Sequence, residues 1–258
     1  MSHTTIEVQE QGWVRKIRLN RPERRNAMTP EMQTELIVAL EEAAAGSCRV
    51  VVLEGAGEAF CSGLDLSALQ AAKDKSAVEH REDAERVSRL FRTLYDSPKA
   101  TIAAVHGAAI AGGTGLATIC DFTLAAPEAR FGYSEVRIGF VPALVSAYLV
   151  LQIGEKRARD LLLTGRLFDA AEGHRLGLVT EVVAAQDLPA RVQTLAQTLS
   201  ANSPASVKAT KKLLAAQSRA WLDEAIAFSL QANATARETA DFQEGIAAFL
   251  EKRRPQWS

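Results

Sequence analysis

The 258-residue chain is 47% hydrophobic and 24% charged, with 30 basic and 31 acidic residues and a formal net charge of -1. That length holds one or two domains with a real core, and the composition excludes collagen-like, low-complexity and disordered classes. Balanced charge offers no bulk attraction for nucleic acid or an anionic membrane.

Met1 to Gln11 has neither a signal-peptide apolar core nor an Arg-rich amphipathic pattern. Val14 to Leu19 reads as a strand, and Thr29-Pro30-Glu31 opens a helix, with Thr as N-cap and Pro at the first position. Met32, Leu36 and Leu40 follow at four-residue spacing. Val50 to Leu53 is a second strand, and Val78 to Tyr95 a helix with Ala84, Val87, Leu90, Phe91 and Leu94 on one face. Ala100 to Cys120 carries no charge over 21 residues, which is long enough to span a membrane. It is dominated by Ala and Gly, which gain little in lipid, so it reads as a buried strand (Thr101 to Val105) and helix. Phe122 to Ala125 is a further strand. From Leu188 onward only helices are expected, starting at Ser203-Pro204 and at Asp241, where Glu244 would complete a capping box. Alternating strands and helices imply a mostly parallel α/β core over 1–195, followed by a helical segment over 196–258. Three cysteines without Cys-x-x-Cys spacing (Cys48, Cys61, Cys120) argue for a reducing, cytoplasmic setting rather than a disulfide framework.

Three segments could carry chemistry. Ala59-Phe60-Cys61-Ser62-Gly63-Leu64-Asp65-Leu66 follows a strand, and its small residues would let a ligand reach free backbone N–H groups. An ordinary tight connection reads the same way, and Cys61 has no partner base nearby to make it a nucleophile. His106-Gly107 through Gly112-Gly113-Thr114-Gly115 follows another strand, but matches neither a Walker A loop nor a dinucleotide fingerprint. His106 itself reads as structural more readily than catalytic. In Phe131 to Pro142, Glu135 sits among apolar residues, where desolvation would raise its pKa and suit it to proton transfer.

Together these segments resemble the crotonase superfamily, the enoyl-CoA hydratase/isomerase family. The resemblance begins at Arg21-Pro22-Glu23-Arg24-Arg25-Asn26-Ala27-Met28 and runs through the Cys61 and His106 segments and Cys120-Asp121. It ends at Glu244-Gly245 and Phe249-Leu250-Glu251-Lys252-Arg253, with all motifs in the family's order. It implies a ββα spiral core with a helical C-terminal trimerisation segment, in a homotrimer or homohexamer. It further implies an acyl-CoA substrate whose thioester carbonyl is polarised by two backbone N–H groups, at Ser62 and Gly112, with Glu135 as the catalytic carboxylate. Arg24, Arg25, Ala27, Gly63, Leu64, Asp65, Gly115, Phe249 and Lys252 would contact substrate, the basic residues meeting the CoA phosphates.

Family hydratases carry a second glutamate where this chain has Gly115, and a glycine-rich run where it has Pro142-Ala143-Leu144-Val145-Ser146-Ala147-Tyr148. Hydration of an enoyl-CoA, including a branched or carboxylated one such as 3-methylglutaconyl-CoA, therefore stands beside Δ3,Δ2-isomerisation by Glu135 alone and decarboxylation of a carboxyacyl thioester. A catalytically idle or RNA-binding protein on the same fold is the non-enzyme alternative. CoA enters as part of the substrate, and the four histidines show no metal-ligand spacing.

Overall fold

A computed structural model describes residues 3–65 and 75–258. Leu66, at the end of the first small-residue motif, lies outside them.

Six strands form the main sheet in the order β1 (Ile6–Gln11), β2 (Val14–Leu19), β3 (Val50–Gly55), β4 (Ala100–Val105), β6 (Phe122–Ala125), β9 (Glu181–Val182). The first pair is an antiparallel hairpin and every later pair is parallel. A smaller sheet joins β5 (Ala108–Ile110), β7 (Arg130–Gly132) and β8 (Leu167–Asp169). Crossovers are made by α1 (Pro30–Ala45), α2 (Ala77–Tyr95), α3 (Gly112–Ile119), α4 (Ala143–Ile153), α5 (Glu155–Thr164) and α6 (Ala170–Leu176). Three helices close the chain, α7 (Leu188–Ala201), α8 (Pro204–Ala236) and α9 (Ala240–Leu250).

The central strands β3, β4 and β6 are buried on both faces, which explains their near-continuous apolar sequences, whereas β1 and β2 carry charged, partly exposed residues. Val51, Leu53, Ala103 and Val105 face the large core beneath α1 to α4. Val50, Val52, Ile102 and Leu124 face the other way, onto Leu188, Val192 and Ala196 of α7. Residue 195, the expected boundary, falls inside α7, which packs on the core and ends at its Asn202 C-cap, just before the Ser203 cap of α8.

The cap at Thr29 is present, its hydroxyl accepting from the Met32 N–H at 3.2 Å. At α9 the expectation fails. Thr239 caps the helix, and Glu244 instead takes Arg253 and the Gln256 N–H, at 2.7 Å for the latter. The uncharged 100–120 stretch folds as β4, β5 and α3, and among the described residues no helix is long and apolar enough to cross a membrane.

Candidate active site

A cavity of about 480 Å³ opens where the loop before α1, the 61–65 segment, the start of α3 and the 134–142 turn meet α2, α4, α8 and α9. Arg24, Arg25, Ala27, Ser62, Leu64, Asp65, Gly112, Glu135 and Phe249 all border it. Residues more than two hundred positions apart in the sequence thus meet around one space.

Two isolated parallel bridges hold the 61–65 segment, Cys61 opposite Ala109 and Leu64 opposite Met28. In the second, the Met28 N–H donates to the Gly63 carbonyl at 2.7 Å and the Asp65 N–H to the Met28 carbonyl at 3.0 Å. Both bonds bypass the Leu64 amide, whose N–H therefore points away from Met28. Ser62 cannot supply the donor expected of it, because its N–H is spent on the Arg25 carbonyl at 3.0 Å. Gly63, at φ +95, breaks the alternation of N–H directions that would otherwise point residues 62 and 64 the same way. Leu64 and Gly112 are thus two neighbouring cavity residues whose N–H groups find no acceptor among the described residues. Gly112 begins α3, so its N–H has no intrahelical acceptor, and among the described residues it finds no other. The two segments approach closely: a Cβ on Gly63, next to Leu64, would sit 3.7 Å from the Gly112 nitrogen.

Glu135 opens the 3-10 turn Glu135–Ile138 and is buried, with no hydrogen-bond partner for Oε2 among the described residues. Burial pushes its carboxyl up to about 7, against a small opposing pull from its own backbone N–H. A carboxyl poised there can both take and return a proton near neutrality.

Gly115 does not border the cavity. A Cβ there would meet Val145 Cγ1 at 2.5 Å and Phe91 Cζ at 3.3 Å, and those two side chains are part of the wall. The place of a second carboxylate is thereby filled by hydrocarbon, so the expected contact by Gly115 is replaced by contacts from Val145 and Phe91. Lys252, at φ +54 beyond α9, is exposed and lies outside the cavity lining, and Gly63 contributes only backbone shape.

Asn26 escaped the sequence reading. Fully buried at φ +53, it accepts from the Arg21 N–H at 2.9 Å and donates to the Ala56 and Ala59 carbonyls at 2.9 and 2.8 Å. It ties the Arg24-Arg25 loop to the 56–61 segment, and an Asn tolerant of left-handed backbone was the available signal. Asp65 pairs with Arg21 at 3.0 Å. Among residues weighed and set aside, Cys61 is fully buried with its thiol pushed up to about 12 by desolvation. His106 binds the Gly57 carbonyl at 2.8 Å, away from the cavity. Tyr148 packs on Phe91 and Tyr95, with centroids 6.2 and 5.4 Å away.

The profile of the enoyl-CoA hydratase/isomerase family matches residues 9–258. An enoyl-CoA hydratase candidate of Thermus thermophilus is 45% identical over 96% of this chain and 98% of its own. The short-chain-enoyl-CoA hydratase of Clostridium acetobutylicum is 31% identical over 98% of this chain and 97% of its own. The crystal structure of an enoyl-CoA hydratase/isomerase from Xanthobacter autotrophicus Py2 superposes with a TM-score of 0.90 at 30% identity, covering 98% of each chain. A match running through every segment that builds the cavity, with the same fold, places this chain in the enoyl-CoA hydratase/isomerase family.

Proposed function

We propose that the protein adds or removes water across the α,β double bond of an acyl-CoA thioester. The observation that carries this reading is one near-neutral buried carboxyl, Glu135, sharing a cavity with the unspent N–H groups of Leu64 and Gly112. The thioester oxygen accepts from both N–H groups. As water attacks the β-carbon, Glu135 takes its proton, and charge moves through the α-carbon onto that oxygen, where the preset donors stabilise it. Glu135 then returns the proton to the α-carbon on the same face, so one carboxyl serves both halves of a syn addition and no co-reactant is consumed.

Arg24 and Arg25 are suited to the CoA phosphates. The acyl group would be branched or carboxylated, with 3-methylglutaconyl-CoA as an example, and Leu144 and Val145 would shape the wall it meets. The hydrocarbon over Gly115 favours a second reading, Δ3,Δ2-isomerisation, in which Glu135 removes a proton from C2 and delivers it to C4. Self-association as a trimer or hexamer is supported by Leu214, Trp221 and Phe228, which stand exposed at seven-residue spacing along α8.

The test is turnover of crotonyl-CoA, 3-enoyl-CoAs, 3-methylglutaconyl-CoA and aromatic enoyl-CoAs by the wild type and Glu135→Gln. Hydration reduced roughly 10²–10⁴-fold in the variant is expected. Isomerisation without hydration selects the second reading, and full activity in Glu135→Gln refutes both.

A further inference from the structure

Asn233 sits on α8, 5% exposed, and borders the cavity. One turn earlier the Ser229 hydroxyl donates to the Ala143 carbonyl at 2.9 Å, which seats this part of α8 against the start of α4. Asn233 Oδ1 accepts from Arg237 Nε at 3.3 Å. A guanidinium N–H can only donate, so the orientation of the amide is settled: oxygen toward Arg237, NH2 away from it. That NH2 has no acceptor among the described residues. The NH2 is not sealed in the core, so it is open to a ligand in the cavity, whose α2 and α4 faces are apolar.

The charge behind the amide indicates which acceptor it suits. The Arg237 side chain, 3% exposed, lies 3.5 Å from Asp83 and 5.7 Å from the ring centre of Phe140, itself part of the wall. Asp83 is shared with Lys75 at 2.7 Å and with Arg86. His80, Glu79 and Glu238 are the other titratable groups facing this cluster. Three cations against Asp83, Glu79 and Glu238 leave it without net charge, but Glu79 and Glu238 are exposed, and the buried Arg237 guanidinium is the member bonded directly to the amide. A guanidinium donating to the amide oxygen strengthens the free N–H as a donor, which favours an anionic acceptor over a neutral oxygen.

We infer that Asn233 is a specificity-determining residue whose NH2 donates to a carboxylate on the acyl chain, with Arg237 as its positioning residue. The preferred substrates are CoA thioesters of dicarboxylic acids. The inference rests on the reading of the cavity as an acyl-CoA site, but not on which reaction follows.

Binding of unreactive saturated thioesters tests it: glutaryl-CoA against pentanoyl-CoA, and adipyl-CoA against hexanoyl-CoA, by calorimetry on the wild type, Asn233→Leu, Asn233→Asp and Arg237→Lys. The wild type should bind the carboxylated member roughly tenfold to a hundredfold more tightly at one of the two lengths. Asn233→Leu should erase that ratio, Asn233→Asp should invert it by repulsion, and Arg237→Lys should reduce it. Should Asn233→Leu fail to fold, the near-isosteric Asn233→Asp gives the same readout. No preference at either length in the wild type overturns the inference, as does a ratio that survives in both Asn233 variants. If no CoA ester binds, the acyl-CoA reading itself fails and takes the inference with it. Preference for the carboxylated thioester without turnover of any enoyl-CoA leaves the inference standing and removes the proposed reaction.

Discussion

Adding a single methyl group at Gly115 asks whether hydrocarbon really occupies the place of a second carboxylate. In an ordinary helix interior, Gly→Ala stabilises by about 1 kcal/mol. Here the new Cβ would lie 2.5 Å from Val145 Cγ1 and 3.3 Å from Phe91 Cζ. Val145 is buried and β-branched within α4, so it has no alternative rotamer to retreat into. Overpacking of this kind costs roughly 1–3 kcal/mol, which should turn the helix gain into a net loss of up to about 2 kcal/mol. In a Val145→Ala background the clashing methyl is gone, and Gly115→Ala should regain its stabilisation of about 1 kcal/mol. Urea unfolding of the four proteins of this cycle, at one fixed concentration, should therefore give a coupling energy of roughly 1–3 kcal/mol. Additivity, or stabilisation by Gly115→Ala alone, would refute the packing argument. The functional extension is Gly115→Glu with Val145→Ala, which should raise crotonyl-CoA hydration over Val145→Ala by up to roughly 10²-fold.

Glu135 gives a prediction in pH. Its folded value of about 7 lies above the usual 4.5, so the folded chain holds more protons than the unfolded chain between those values. Stability should fall by roughly 3 kcal/mol as pH rises through that window. Glu135→Gln should accordingly be more stable than the wild type at pH 8 and indistinguishable from it at pH 4; a constant difference in chemical denaturation would contradict the assigned burial. If the ionised carboxyl starts the reaction, wild-type kcat/KM should decline below about pH 7. Asn26→Ala removes three buried hydrogen bonds and should cost roughly 3 kcal/mol or more, with weaker CoA ester binding as the Arg24-Arg25 loop loosens. Ala111 holds φ 52 and ψ -121 immediately before the Gly112 donor, so Ala111→Gly should relieve strain and raise Tm by about 2–4 °C. An unchanged or lower Tm would show that the position is not strained.

Local physics made much of this protein legible in its sequence. The apolar runs that became β3, β4 and β6 are buried on both faces, and Thr29-Pro30 announces the start of α1 at its cap. Glu135 among apolar residues was only a weak signal by itself; the family resemblance singled it out, and the same resemblance marked Gly115 as a departure. The polar edge strand β1 and the very short β5, β7, β8 and β9 were not legible, since their existence depends on pairing with distant partners rather than on their own periodicity.

The sequence alone thus determined the family and, through that resemblance, the candidate carboxyl and the glycine at the second position. Tertiary structure decided which amides are open to the cavity, because a backbone donor carries no residue signature: the φ of Gly63 and the Arg25 carbonyl select Leu64 over Ser62. It also decided what fills the space over Gly115 and which way Asn233 points, because Val145 and Arg237 exert those effects through contact at van der Waals and hydrogen-bond range. Those contacts exist only once the chain has brought α3, α4 and α8 together.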